Sequence, residues 1–178
     1  MSAHNNGYGE RFRCRGLTGL VLGVWCAVFL ILVPNDVNAV EKITIGAVED
    51  VILFPWGVKV PARIDTGAAL SSLDVCEYSV EEEFVTLTLA DRCGGHNVRL
   101  PLAGWKDVQS AQGSGRRPVV ELEICLGPKR IVTSVTLTDR SRMEYPFLVG
   151  RETLEKDFIV DVGRTRMAPP ICRDSILP

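Results

Sequence analysis

Apolar residues recur at every second position along most of this chain, and that period of two excludes most architectures. The run "RIVTSVTLTD" at 130–139 alternates, as do "FVTLTLA" at 84–90, "VVELEICLG" at 119–127 and "GVKVPARID" at 57–65. "KITIGAVEDVILF" at 42–54 is rich in β-branched residues and alternates in part. Gly, Pro and Asp clusters separate these runs. "CLGPKRIV" predicts a hairpin with Gly127-Pro128-Lys129 at its turn, and Glu81-Glu82-Glu83 predicts a solvated loop between strands. Only "GRETLEKDF" at 150–158 carries a short helical pattern. The expected class is therefore mostly β, a small closed or folded-over barrel with one short helix.

The first 39 residues lie outside that domain. Arg11, Arg13 and Arg15 precede an uncharged apolar stretch from Leu17 to Val33, and Val37 and Ala39 satisfy the small-residue rule for cleavage. Residues 1–39 are expected to be a secretory signal cut after Ala39; the alternative is an uncleaved N-terminal anchor, with the domain outside the cytoplasm either way. The domain is expected over 40–165 and a C-terminal tail over 166–178. The expected location is periplasmic or secreted, with membrane contact only through an uncleaved N-terminus. Removing Glu10, Asp36 and the three arginines from totals of 22 acidic and 20 basic residues leaves 20 and 17, a net charge of −3. No basic excess points to nucleic acid, and no G-x-x-x-x-G-K-[ST] phosphate loop occurs.

Six cysteines become four once the N-terminal segment is set aside: Cys76, Cys93, Cys125 and Cys172. An even number in an exported chain favours disulfides, with three connectivities open. A metal site is the rival reading. It lacks any C-x-x-C pair, and His96 is the one histidine after residue 39, so no metal is expected.

The chemistry concentrates in "ARIDTGAALSSL" at 62–73. A strand with apolar alternation delivers Asp65 to the edge of the core. Thr66 supplies a hydroxyl, and Gly67 permits a sharp turn and close backbone approach. A plain Asx turn would also explain three such residues. Downstream, "YPFLVGRETL" at 145–154 runs an apolar strand into Gly150, Arg151 and the short helix. This pair of segments resembles the retropepsin-like aspartic proteases. It is similar above all to a bacterial branch labelled ATP-dependent zinc proteases, often encoded beside ATP-grasp amino-acid ligases. The resemblance also covers "IGAVEDV" at 45–51, "RRPVVELEICLG" at 116–127, "SVTLTDRSRMEYPFLVGRETL" at 134–154 and "DFIVDV" at 157–162.

That resemblance implies a retropepsin-like barrel, a peptide or protein substrate, no cofactor, and a catalytic loop of Asp65, Thr66 and Gly67 supported by Ala68, Gly150 and Arg151. No H-E-x-x-H occurs, so zinc dependence finds no motif here. In viral relatives the arginine of the G-R element pairs with an acidic residue soon after D-T-G-A; here those positions are Ala69 and Leu70, which leaves the partner of Arg151 open. Aspartic catalysis needs two carboxylates sharing one proton. The chain holds one D-T-G, and Asp91, Asp107, Asp139 and Asp161 lack the Thr-Gly sequel, so the resemblance implies a homodimer with Asp65 facing its copy. "AQGSGRRPVV" at 111–120 is a candidate flap or a surface loop, with Arg116 and Arg117 as a candidate rim for acidic peptides. The alternative function is an inactive peptide-binding or envelope interaction protein of the same fold. Protein isolated from cells is expected to begin at Val40, and N-terminal mass spectrometry reads this directly; a chain still beginning at Met1 and found in the cytoplasm would contradict export.

Overall fold

A computed structural model describes residues 41–110 and 113–172. Residues 1–40, on which the signal assignment falls, lie outside the described residues. The strands are β1 (Ile43–Gly46), β2 (Val48–Leu53), β3 (Val58–Ile64), β4 (Ser71–Glu81), β5 (Phe84–Leu89), β6 (Asn97–Pro101), β7 (Gly104–Ser110), β8 (Gly113–Leu126), β9 (Lys129–Thr138), β10 (Phe147–Val149) and β11 (Phe158–Asp161). One helix, α1, covers Arg151–Leu154, and a 3₁₀ turn covers Asp91–Cys93.

The mostly β expectation is met by a closed barrel. Its strands follow the order β10-β3-β2-β8-β9-β4, and β4 pairs back onto β10 to close the ring. The alternating residues turn inward as the period of two demands. Val51, Leu53, Val60, Ala62, Leu73, Ile124, Val135, Leu137, Phe147 and Val149 share one buried core. Outside the ring, β5 and β6 extend from β4 as an antiparallel ribbon, and β1 and β11 form a separate parallel pair.

Local chemistry explains where the elements differ from the sequence reading. "KITIGAVEDVILF" is two strands, broken at Gly46-Ala47. A Cβ on Gly46 would lie 2.4 Å from the Arg164 carbonyl oxygen, so only glycine lets the C-terminal segment approach. The helical pattern at 150–158 shortens to Arg151–Leu154, because Phe158 enters β11 beside β1. The stretch at 111–120 is not a loop over its described part. Gly113–Val119 belongs to β8 and pairs with β7 from Gly104↔Val119 to Ser110↔Gly113, so it is one side of an arm projecting from the barrel. The hairpin turn at Gly127-Pro128 joins Leu126 to Lys129 as expected, and Glu82-Glu83 turns between the paired Glu81 and Phe84.

A buried carboxylate and a disulfide are among the contacts that fasten the C-terminal segment to the barrel. Glu49, fully buried, accepts hydrogen bonds from the backbone N–H groups of Gly46 (2.6 Å), Met167 (2.9 Å) and Ala168 (3.1 Å). Three donors on one carboxylate answer its desolvation. Beyond it, Cys125 and Cys172 form a disulfide. The pairing of all four cysteines is corrected here: Cys76, exposed, and Cys93, buried, remain free thiols. Burial, with Asp74 nearby as the next cause, pushes the Cys93 thiol from 9.0 up to about 12.

Two outcomes follow. Replacing Cys125 and Cys172 by serine frees a loop with a sequence separation of 47 and should cost about 2–4 kcal/mol, read by urea unfolding. Alkylation of the native protein at pH 8 should, among the described cysteines, label Cys76 alone, with Cys93 reacting only after denaturation. Because the Cys93 thiol ionises near 9.0 when unfolded and near 12 when folded, its contribution to stability is whole below pH 9.0 and is lost as pH rises toward 12.

Candidate active site

Asp65 stands where β3 leaves the barrel. β10 runs parallel to β3 through Phe147↔Ala62, Leu148↔Arg63 and Val149↔Ile64, and the Asp65 N–H continues that ladder onto the Val149 carbonyl at 3.0 Å. The loop then turns back on its own carboxylate. Oδ1 of Asp65 accepts from the N–H of Gly67 at 2.9 Å and of Ala68 at 3.2 Å. These bonds fix the side chain and leave Oδ2 without a partner among the described residues. Asp65 is half-buried, and Thr66 and Gly67 are exposed.

The far side of the loop rests on the start of α1. The N–H groups of Arg151 and Glu152 donate to the carbonyls of Ala68 (2.8 Å) and Ala69 (3.1 Å). Gly150 is forced by contact, since a Cβ there would sit 2.4 Å from the Leu70 carbonyl carbon. The guanidinium of Arg151 donates from Nη1 to the Thr66 carbonyl at 2.9 Å. The partner that the sequence left open is thus backbone, and no acidic residue is required at 69 or 70.

A buried hydroxyl relay, absent from the sequence reading, ties this loop to the barrel. Ser71 Oγ accepts from the Gly150 N–H at 3.1 Å and shares a hydrogen bond with Thr153 Oγ1 at 2.8 Å. Thr153 Oγ1 in turn meets Thr133 Oγ1 at 2.7 Å. Only the run Ser71-Ser72 inside an otherwise apolar segment hinted at it.

Asp65 opens on a groove of about 730 Å³. Its floor comes from Ser72, Thr136 and Leu148, which are cross-strand partners on β4, β9 and β10. The β7–β8 arm contributes Lys106, Asp107 and Arg117. The segment after β9 contributes Asp139, Arg140, Arg142 and Met143. Of the two candidate rim arginines, Arg117 lines the groove. Arg116 alternates to the other side of the strand, its guanidinium 5.1 Å from the Trp105 ring centre.

The segment 139–146 is held by a second buried carboxylate, also unread in the sequence. Asp74, 2 % exposed, accepts from Arg92 Nε at 2.6 Å and from the Arg140 N–H at 2.5 Å. Arg92 also donates to the carbonyls of Arg140, Met143 and Glu144. Burial holds the Arg140 guanidinium below its ordinary range. Asp74 acts against that shift, and the fields of Arg117 and Asp65 also reach it.

Comparison with known proteins agrees with this geometry. A family model described as "Retropepsin-like aspartic endopeptidase RimB" matches residues 44–170. Among solved structures, a Legionella pneumophila protein of unknown function (DUF785) is 28 % identical with a TM-score of 0.62, covering 71 % of this chain and 98 % of its own. No curated protein matches. Among the described residues no group of three or more His, Cys, Asp or Glu is placed to hold a metal ion.

Gly150→Ala should be the most damaging single-carbon change at the site. Its methyl meets backbone rather than a yielding side chain, so a loss of about 2–4 kcal/mol is expected in chemical unfolding. Thr153→Val, which keeps shape but breaks the relay, should cost about 1–3 kcal/mol.

Proposed function

The chain belongs to the RimB-like family of retropepsin-like aspartic endopeptidases, and from that premise we propose that it is an exported peptidase whose active unit is a homodimer with Asp65 of each chain in one dyad. The observation that carries this reading is the posture of Asp65. One carboxylate oxygen is immobilised by two backbone donors, and the other is left free beside a large groove. A turn residue serving structure alone would have no need of the groove. The exposure of Thr66 and Gly67 leaves the loop accessible to a second copy.

In such a dyad one proton is shared, because two adjacent carboxylates cannot both ionise. The charged partner removes a proton from a water molecule as its oxygen attacks the peptide carbonyl carbon. The protonated partner donates to the carbonyl oxygen, giving a tetrahedral intermediate. On collapse the carbon–nitrogen bond breaks, the proton taken from water passes to the departing amine, and a hydroxyl proton of the intermediate returns to the other carboxylate, which leaves one proton on the dyad as at the start. The β7–β8 arm sits where it can cover a bound peptide and limit water. Lys106, Arg117, Arg140 and Arg142 favour acidic side chains in the peptide. The alternative, a peptide-binding protein that does not cut, would keep the groove without the dimer.

Asp65→Asn should reduce peptide cleavage on the order of 10³-fold or more, measured with a fluorogenic peptide library, while leaving mass in solution and unfolding midpoint nearly unchanged. Excess Asp65→Asn chains should suppress wild-type activity beyond dilution, because mixed dimers hold one competent carboxylate. Cleavage should follow a bell-shaped pH profile, and persist in EDTA without ATP. A fully active strict monomer, or an Asp65→Asn protein cutting at the wild-type rate, would refute the dyad.

A further inference from the structure

The buried hydroxyls around the site are already bonded, with one exception. Ser71, Thr153 and Thr133 share the relay, and Thr136 Oγ1 donates to the Ser71 carbonyl at 3.0 Å. Ser72 is the exception. Among the described residues its Oγ is the one buried side-chain nitrogen or oxygen without a hydrogen-bond partner. The residue is 6 % exposed, and it lines the same groove as Asp65. Strand register accounts for its place. Arg63, Leu148, Ser72 and Thr136 are successive Cα partners across β3, β10, β4 and β9, so their side chains share one face. Asp65 follows Arg63 by two residues and continues the ladder onto Val149, which keeps it on that face. Two strand spacings separate β3 from β4, so Ser72 stands on the order of 10 Å from Asp65, about three residues of extended peptide. An unpartnered buried hydroxyl lowers the stability of the free protein. Rotation about one torsion redirects it, so a polar group arriving in the groove can engage it without any backbone movement.

We propose that Ser72 is a substrate anchor whose hydroxyl hydrogen-bonds a main-chain amide of the bound peptide, about three residues from the bond presented to Asp65. This deepens the peptidase reading and rests on it, but adds a contact that does not depend on the peptide's side chains. The floor beside Ser72 offers no rival: Leu148 is apolar, and the Thr136 hydroxyl is committed to Ser71. The groove's cations stand on the arm and on the segment 139–146, away from the floor. One neutral hydroxyl in a buried setting cannot answer a charge taken out of water, whereas it matches a neutral amide. A peptide that enters a groove loses water from its N–H and C=O groups at every residue, whatever its sequence. A hydroxyl both donates and accepts, and so serves either group. Ser72 thus lowers the stability of the free protein and regains a partner in the complex, the trade-off expected of a binding residue.

The test reads binding and stability together. Asp65→Asn protein, with and without Ser72→Ala, is titrated with a fluorescein-labelled peptide of alternating glutamate and alanine, and anisotropy gives the dissociation constants. A set of ester analogues follows, each with oxygen in place of one main-chain N–H, which removes a donor and weakens the adjoining carbonyl as an acceptor. Ser72→Ala should bind the all-amide peptide about 3- to 10-fold more weakly, the range of one neutral hydrogen bond. At one position the ester should weaken binding to the Ser72 protein by a similar factor and leave Ser72→Ala indifferent. Exchanging glutamate for glutamine should change affinity by the same factor in both proteins, because Ser72 reads no charge. Stability should move the other way. The urea midpoint of Ser72→Ala should equal or exceed the parent's, whereas Ser71→Ala, which strips a bonded hydroxyl, should lower it. A lower midpoint for Ser72→Ala would show a hydroxyl that serves the fold, and the proposal fails. It fails equally on unchanged binding by Ser72→Ala, on ester penalties equal in both proteins at every position, or on no binding by the parent. Failure of the peptidase reading looks different: protein with Asp65 intact would show the same Ser72-dependent ester effect and leave the all-amide peptide uncut.

Discussion

The fold and the site both depend on a strand of three residues. Phe147–Val149 lies parallel to β3 and antiparallel to β4, and so closes the barrel. At its end Val149 receives the Asp65 N–H, and the next residue is the glycine pressed against Leu70. One short crossing therefore closes the core, fixes the origin of the Asp65 loop and seats the helix that supports it. A strand this short has few ladder bonds of its own. The relay Ser71–Thr153–Thr133 supplies the missing constraint, since Ser71 Oγ accepts the Gly150 N–H that follows the strand. Removing Ser71 would leave the buried Gly150 amide without this partner, and removing Thr153 would leave the Thr133 hydroxyl without its own, each costing more than the bond itself gains.

Buried charge marks the parts of the chain that must stay put. Glu49 and Asp74 are both nearly inaccessible, and each gathers segments that have no apolar claim on the core. Glu49 draws in the backbone at 167 and 168, which the disulfide then secures at 172. Asp74 draws in Arg92 and the backbone of Arg140. In each case a carboxylate on a barrel strand orders an irregular segment through backbone donors, without any need for that segment to be hydrophobic. This explains why 139–146 can be rich in charge and still form a defined wall.

What the sequence disclosed and what it hid divide along physical lines. The strands with clean alternation were legible, because one face is core and the other solvent. Asp65-Thr66-Gly67 and Gly150-Arg151 were singled out by the family resemblance of the two segments that carry them, each at the end of an apolar run. β4 was not legible. Its first five residues are buried without alternation, being flanked by β9 and β10, and polar Ser71, Ser72 and Asp74 interrupt the apolar pattern. The start of β8 was hidden by its glycines, which read as loop until β7 is known to pair with it. The partners of Ser71, Asp74 and Arg151 lie 82, 18 and 85 residues away, and no local pattern encodes such contacts.

The groove joins two kinds of structure with different mechanical character. Its floor of Ser72, Thr136 and Leu148 belongs to three adjacent barrel strands and cannot shift without breaking the ring. Among the described strands, β8 is paired with β7 alone over Gly113–Pro118, so the outer part of the arm is less tightly tied to the core than the floor is. The wall at 139–146 lies between these extremes, irregular in backbone but fastened by Arg92 and Asp74. On the peptidase reading proposed above, this gradation has a use. A catalytic carboxylate must hold its geometry to a fraction of an ångström, whereas the cover of such a groove has to admit a peptide. Arg140 sits on the fastened wall rather than on the arm, its backbone N–H held by Asp74. Arg117 sits on the arm, paired to β7, and reaches the same groove from there.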